Sequence, residues 1–119
     1  MILVDTSVWI DHLHAVDPAL VEMLHRSSVG QHPMVIGELS LGSLRERGRI
    51  LQLLANLPST AVATHAEVAR FVEQHVLFGK GLSLIDAHLL ASVVLTPGTR
   101  LWTRDKRLLA TARRLGVAH

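Results

Sequence analysis

Ile2-Leu3-Val4-Asp5-Thr6-Ser7-Val8-Trp9-Ile10 runs three apolar residues, two of them β-branched, into an acid, two hydroxyl residues and a second apolar group. Residues 2–4 show no polar alternation, so they read as a short strand covered on both faces, as parallel sheets are. Thr6 or Ser7 suits the N-cap of a helix whose apolar members are Val8, Trp9, Ile10 and Leu13. Strand, acid and helix in immediate succession favour an α/β sheet with helical cover. They also put Asp5 at a strand's carboxyl end, where ligands gather in open α/β sheets.

The rest of the chain repeats the pattern. A helix is expected over 18–26, with Asp17 as N-cap and Pro18 at its first position, then a strand over 29–32. Pro33 opens a helix to about 41 that Gly42 ends, and 44–57 is helical up to Pro58. Residues 61–63 read as a strand. Thr64 caps a helix to about 78, with Glu67 completing a capping box. Gly79 and Gly81 break the chain before a helix over 84–95. A strand over 100–102, a helix over 104–115 and a last short strand at 117–118 follow. No linker or repeat interrupts residues 1–119, so one continuous domain is expected, with a small, mostly parallel sheet and helices on both faces.

Composition narrows the function. The 119 residues are 49% apolar, which suits an ordered core. With two Trp, two Phe and no Tyr, the chain is ill equipped to stack nucleic-acid bases on aromatic platforms. No cysteine is present, which excludes thiolate metal sites and cysteine nucleophiles and is compatible with a reducing cytoplasm. The N-terminal stretch does not read as a signal peptide, and the longest apolar run, 87–95, is too short to span a bilayer. A soluble protein is expected. Net charge is only +2, but Arg45, Arg47 and Arg49 form one cluster and Arg104, Lys106, Arg107, Arg113 and Arg114 another. These clusters permit an acidic partner without requiring one.

Four acids stand apart from the rest. Asp5 follows the first strand. Glu38 interrupts the apolar helix Met34-Val35-Ile36-Gly37-Glu38-Leu39, where Gly37 costs about 1 kcal/mol of helix propensity and suggests a close backbone approach. Asp86 closes a capping box in Ser83-Leu84-Ile85-Asp86 at the head of an almost wholly apolar helix. Asp105 follows the strand Arg100-Leu101-Trp102. Each has a structural explanation as a cap or a solvated helix position. Asp11, Asp17, Glu22, Glu46, Glu67 and Glu73 read as nothing more than that. Gathered together, the four would repel unless protons or hard cations compensated them, and magnesium or manganese prefers such oxygen donors.

Four motifs in series carry a family resemblance. The opening segment 2–10, Val35-Ile36-Gly37-Glu38-Leu39 with Gly42, Leu82-Ser83-Leu84-Ile85-Asp86-Ala87-His88-Leu89-Leu90-Ala91, and Leu101-Trp102-Thr103-Arg104-Asp105-Lys106-Arg107-Leu108 together resemble PIN-domain proteins. The likeness is strongest to the VapC toxins of bacterial toxin–antitoxin pairs. It implies a three-layer α/β/α sandwich, Mg2+- or Mn2+-dependent cleavage of RNA, a homodimer, and inhibition by a small VapB-like antitoxin. Carried over by motif, Asp5, Glu38, Asp86 and Asp105 form the acidic metal site, with Asp5 and Asp86 the firmer ligands and Thr103 a polar support. Hydrolysis by water activated at a divalent cation is the implied chemistry. Arg104, Lys106 and Arg107 flank Asp105 and are candidate phosphate contacts. Ile50, Leu51, Leu53 and Leu54 give their helix more apolar surface than one buried stripe needs, which suggests antitoxin or dimer contact.

Two other functions fit this length. A receiver-type phospho-acceptor domain would need an early acidic pair and a correctly placed late Lys, both missing here. A PIN-like module that binds RNA or a partner without cutting is the second, and the complete acidic set argues against it.

Overall fold

The computed structural model describes residues Met1–His119. Three strands, β1 (Ile2–Val4), β2 (Val29–Gly30) and β3 (Arg100–Trp102), are set among seven helices, α1 (Thr6–His14), α2 (Pro18–His25), α3 (Pro33–Ser40), α4 (Arg47–Ala55), α5 (His65–Gln74), α6 (Leu84–Leu95) and α7 (Lys106–Arg114), with two helices between β1 and β2 and four between β2 and β3. The sheet is wholly parallel in the order β2-β1-β3, and with its flanking helices makes the expected three-layer α/β/α arrangement. Ile2 pairs with Val29 on one side and Arg100 on the other. The strand order reverses at β1, so a crevice opens between the carboxyl ends of β1 and β3.

Leu3 and Val4 are fully buried and join a core of 21 apolar residues. In α6 the seven residues from Ala87 to Val93 are all buried, which accounts for its lack of a polar face. Its polar Ser92 is satisfied inside the core, donating its one proton to the Ala61 carbonyl at 2.5 Å while its oxygen pairs with the Thr60 hydroxyl at 2.6 Å. No helix is long and apolar enough to cross a membrane.

Several boundaries differ from expectation. Thr6 and Ser7 do not cap α1; they lie inside it, Asp5 holds the N-cap position, and the hydroxyls bind carboxylates instead. Helix α4 starts at Arg47 rather than 44, because Glu46 takes a left-handed φ of 51°. Helix α5 stops at Gln74, short of a left-handed Val76. Residues 61–63 form no strand, since the Ala61 N–H donates to Thr96 Oγ1 and its carbonyl is taken by Ser92. The sheet is extended instead by single bridges, Gln31 to Ser59 and Leu101 to Ala118. Asp105 caps α7, which therefore begins at Lys106.

Helix α3, which carries Glu38, is capped by a histidine. His32 is fully buried, and its Nδ1 accepts from the Met34 N–H at 3.0 Å while Nε2 has no partner. Burial, reinforced by the nearby His88, lowers its pKa from 6.5 to about 4. As pH falls below 6.5 the unfolded chain takes up this proton first. Stability is therefore complete above that pH and erodes as pH falls toward 4, by up to about 3 kcal/mol. Replacing His32 with Asn keeps a cap acceptor and should flatten this acid limb, as urea denaturation between pH 7 and 4 would reveal.

Candidate active site

Asp5 ends the central strand. Its backbone N–H continues the ladder to the Trp102 carbonyl at 2.9 Å, and the residue is buried, 6% exposed, at the carboxyl end of the sheet. Oδ2 accepts from Ser7 Oγ at 2.9 Å and from Thr103 Oγ1 at 2.7 Å. Thr103, itself buried, also accepts from the Asp105 N–H at 3.0 Å. One hydroxyl thereby ties the acid after β1 to the acid after β3. Asp105 Oδ1 accepts from the Leu108 N–H at 2.9 Å to cap α7.

Asp86 arrives from a different layer. A helix that feeds a parallel strand through a short loop runs back along it, which brings the N-terminus of α6 to the carboxyl edge of the sheet. There the capping box closes: the Ser83 N–H donates to Asp86 Oδ2 at 2.9 Å, and the Asp86 N–H to Ser83 Oγ at 3.1 Å. Burial raises the Asp86 pKa above the ordinary carboxylate value against the pull of those bonds, and the charges of Asp5 and Asp105 raise it further. Three of the sequence-selected acids thus feel one another. Glu38 joins through α1, where Thr6 Oγ1 donates to its Oε1 at 2.6 Å.

The counter-charges lie elsewhere. The ion pairs are Arg26–Glu22, Arg49–Glu46, Arg104–Asp11 and Arg104–Asp17, none involving these four acids. No three acidic or histidine side chains stand in a geometry ready to grip an ion. The donor set nevertheless fits a hard divalent cation: carboxylates that run from buried at Asp5 to exposed at Asp105, none with a protein cation, each partly held by hydroxyl or backbone donors, with Asp5 and Asp105 opposing the charge on Asp86. Asp5, Glu38, Asp86 and Asp105 are the residues that would hold it.

Other expectations are redistributed. Gly37 makes no close approach, since a Cβ there would meet nothing within 4 Å. Arg104 is committed to Asp11, at 2.6 Å, and to Asp17 at the cap of α2, and its guanidinium lies 5.8 Å from the Trp102 ring centroid. It is an internal tie between α1, α2 and the end of β3, which draws on two acids the sequence marked only as a helix position, Asp11, and a helix cap, Asp17. Lys106 is exposed. Arg107 lies across Gly81. Thr6 and Ser7 are the positioning residues missed from sequence, although their adjacency to Asp5 was a visible signal. On α4, Leu54 is buried and floors an apolar groove of about 330 Å3 lined also by Trp9, Leu13, Ile50, Leu53 and Leu57. Leu51 packs against the core and does not line the groove, whereas Ile50, Leu53 and Leu54 do.

A parallel sheet with acids converging at the switch point defines a class, and the chain belongs to the PIN-domain family: the PIN domain model matches residues 2–114. Within that family it is 57% identical over 118 residues to "Ribonuclease VapC32" of Mycobacterium tuberculosis, strain CDC 1551 / Oshkosh, covering 99% of this chain and 95% of that protein. The same figures hold for Ribonuclease VapC32 of strain ATCC 25618 / H37Rv. The fold is similar to the crystal structure of PAE2754 from Pyrobaculum aerophilum, with a TM-score of 0.64, 23% identity, and 99% and 87% of the two chains covered.

Proposed function

We propose that this chain is a cytoplasmic ribonuclease toxin that hydrolyses RNA phosphodiester bonds at the acidic edge, with Mg2+ or Mn2+, and is neutralised by a VapB-like antitoxin. The observation that carries this reading is the loading of Asp86 by Asp5 and Asp105 in a crevice where no Lys, Arg or His pairs with any of the acids. The name and 57% identity of the mycobacterial relatives support it. When bound, a divalent cation supplies acidified water and charge to offset that of the phosphate. The protein's own part is orientation. Thr103 and Ser7 hold the Asp5 carboxylate, Thr6 holds Glu38, and the Ser83 backbone holds Asp86. Purified protein incubated with cellular RNA should cut it with Mg2+ or Mn2+ and not with EDTA. Cutting that survives Asp86→Asn would end the assignment.

The α4 groove is the surface on which the antitoxin would lay an apolar face, and the working unit is a homodimer, which sedimentation would read. Leu53 is 56% exposed, so a charge there should leave the fold intact. Leu53→Asp is expected to weaken capture of the co-expressed antitoxin at least tenfold, roughly 1.4 kcal/mol or more, with an unchanged melting temperature. Full-strength capture would place the antitoxin elsewhere.

A further inference from the structure

A second charged feature, of opposite sign, is built from α7, which Asp105 caps, and the loop that leads into α6. Lys80, Arg107 and Arg114 line one open pocket of about 280 Å3, with Ala110 and Thr111 as its remaining walls. Positions 107, 110, 111 and 114 recur at helical spacing, so one face of α7 makes the wall and spans about 10 Å along the axis. That face starts two residues past Asp105. Lys80 belongs to the loop leading into Ser83, and three residues of chain keep the two Cα atoms within about 11 Å.

The three cations have no acid of their own. Every ion pair in the molecule uses Arg26, Arg49 or Arg104. Arg114 donates to the His75 carbonyl at 2.8 Å, which anchors one side of the pocket to the end of α5. Lys80 and Arg107 make no side-chain hydrogen bond, yet Arg107 is placed. Gly81 adopts φ +73°, and a Cβ there would meet Arg107 Cδ at 2.8 Å, so the loop stays bare of side chain where the arginine crosses it. Like charges gathered around one depression repel unless an anion joins them.

We propose that the Lys80–Arg107–Arg114 pocket binds a backbone phosphate of the RNA strand, one that flanks the bond presented to the acids. This rests on the ribonuclease reading above. An acidic crevice repels the substrate it must hold, and the scarcity of aromatics leaves little base stacking to offset that repulsion. Affinity then has to come from cations beside the crevice, and the ones the fold leaves unpaired and grouped are these. The residues differ from those nearest Asp105 in sequence: Arg104 is held by Asp11 and Asp17, Lys106 lies outside the pocket, and Lys80 and Arg114 take their places.

The test is equilibrium binding of a fluorescein-labelled, mixed-sequence single-stranded RNA oligomer across a salt series, with every protein carrying Asp86→Asn to suppress cutting. Adding Lys80→Gln and Arg107→Gln together should weaken binding about tenfold and lower the slope of log affinity against log salt by about 0.7 for each phosphate no longer neutralised. Arg113→Gln, a neighbouring exposed charge outside the pocket, should leave the slope as it was. Melting curves check that all variants fold. In chains that keep Asp86, the double variant should raise KM for RNA cleavage. Unchanged affinity and slope in the double variant would overturn the pocket while leaving the ribonuclease reading to its own cleavage assay. An Asp86→Asn parent that binds no RNA at any salt would overturn it equally. Loss of binding in the double variant beside an intact chain that never cuts RNA would keep the pocket and remove the nuclease.

Discussion

Asp86→Asn is expected to lower metal-dependent RNA cleavage on the order of 10²- to 10³-fold and, in metal-free buffer at neutral pH, to raise the melting temperature. The two effects share one cause. Burial first, then the charges of Asp5 and Asp105, raise the Asp86 pKa in the folded chain. The folded carboxyl keeps its proton to higher pH than the unfolded one. Stability therefore falls as pH rises across that interval, and above it the ionised group is a standing cost. Asparagine removes the cost while its amide oxygen can still accept from the Ser83 N–H, so the capping box survives. Mg2+ should raise the melting temperature of the natural chain, through binding to the folded state, and do so less for the variant. A variant that melts lower without metal would show that the Asp86 charge is held by its caps rather than opposed by its neighbours.

Asp5→Asn should reduce cleavage to a similar degree and have the opposite effect on stability. Asp5 is buried at 6% exposure and accepts from two hydroxyls, Ser7 at 2.9 Å and Thr103 at 2.7 Å. Hydrogen bonds to a charged acceptor contribute about 1.5–3 kcal/mol, against about 1 for a neutral one. Loss of the charge should therefore cost about 1–2 kcal/mol. Urea denaturation of the two asparagine variants side by side separates the roles: Asp5 is a carboxylate the fold holds in place, Asp86 one it tolerates. A stabilised Asp5→Asn would contradict that division.

Much of this was legible in local sequence. Residues 2–4 form a short apolar run before an acid, residues 100–102 an arginine and two apolar residues before a hydroxyl, and both are strands. The capping boxes Thr64–Glu67 and Ser83–Asp86 formed as written, because a box needs only residues three apart. Helix 84–95 has the bounds its composition suggests, since a stretch apolar on every side can only be a buried helix or strand, and its length decides which. Segment 61–63 misled because its backbone groups are satisfied by Ser92 and Thr96, more than thirty residues away in sequence.

At the acidic edge, which residue types stand at each strand-to-helix junction follows from local properties of the chain: strand length, cap chemistry and helix period. The sequence also marked Asp5, Glu38, Asp86 and Asp105 as a set. How Asp5, Asp86 and Asp105 come near one another depends on the packing of the whole chain. The parallel order β2-β1-β3 brings residue 103 beside residue 5, so a threonine hydroxyl links two acids that the chain separates by 100 positions. The same folding took Arg104 away to Asp11 and Asp17, and set Arg107 with Lys80 and Arg114. Charge is written residue by residue, but which charges neutralise one another depends on distances of a few ångströms that only the packed chain fixes.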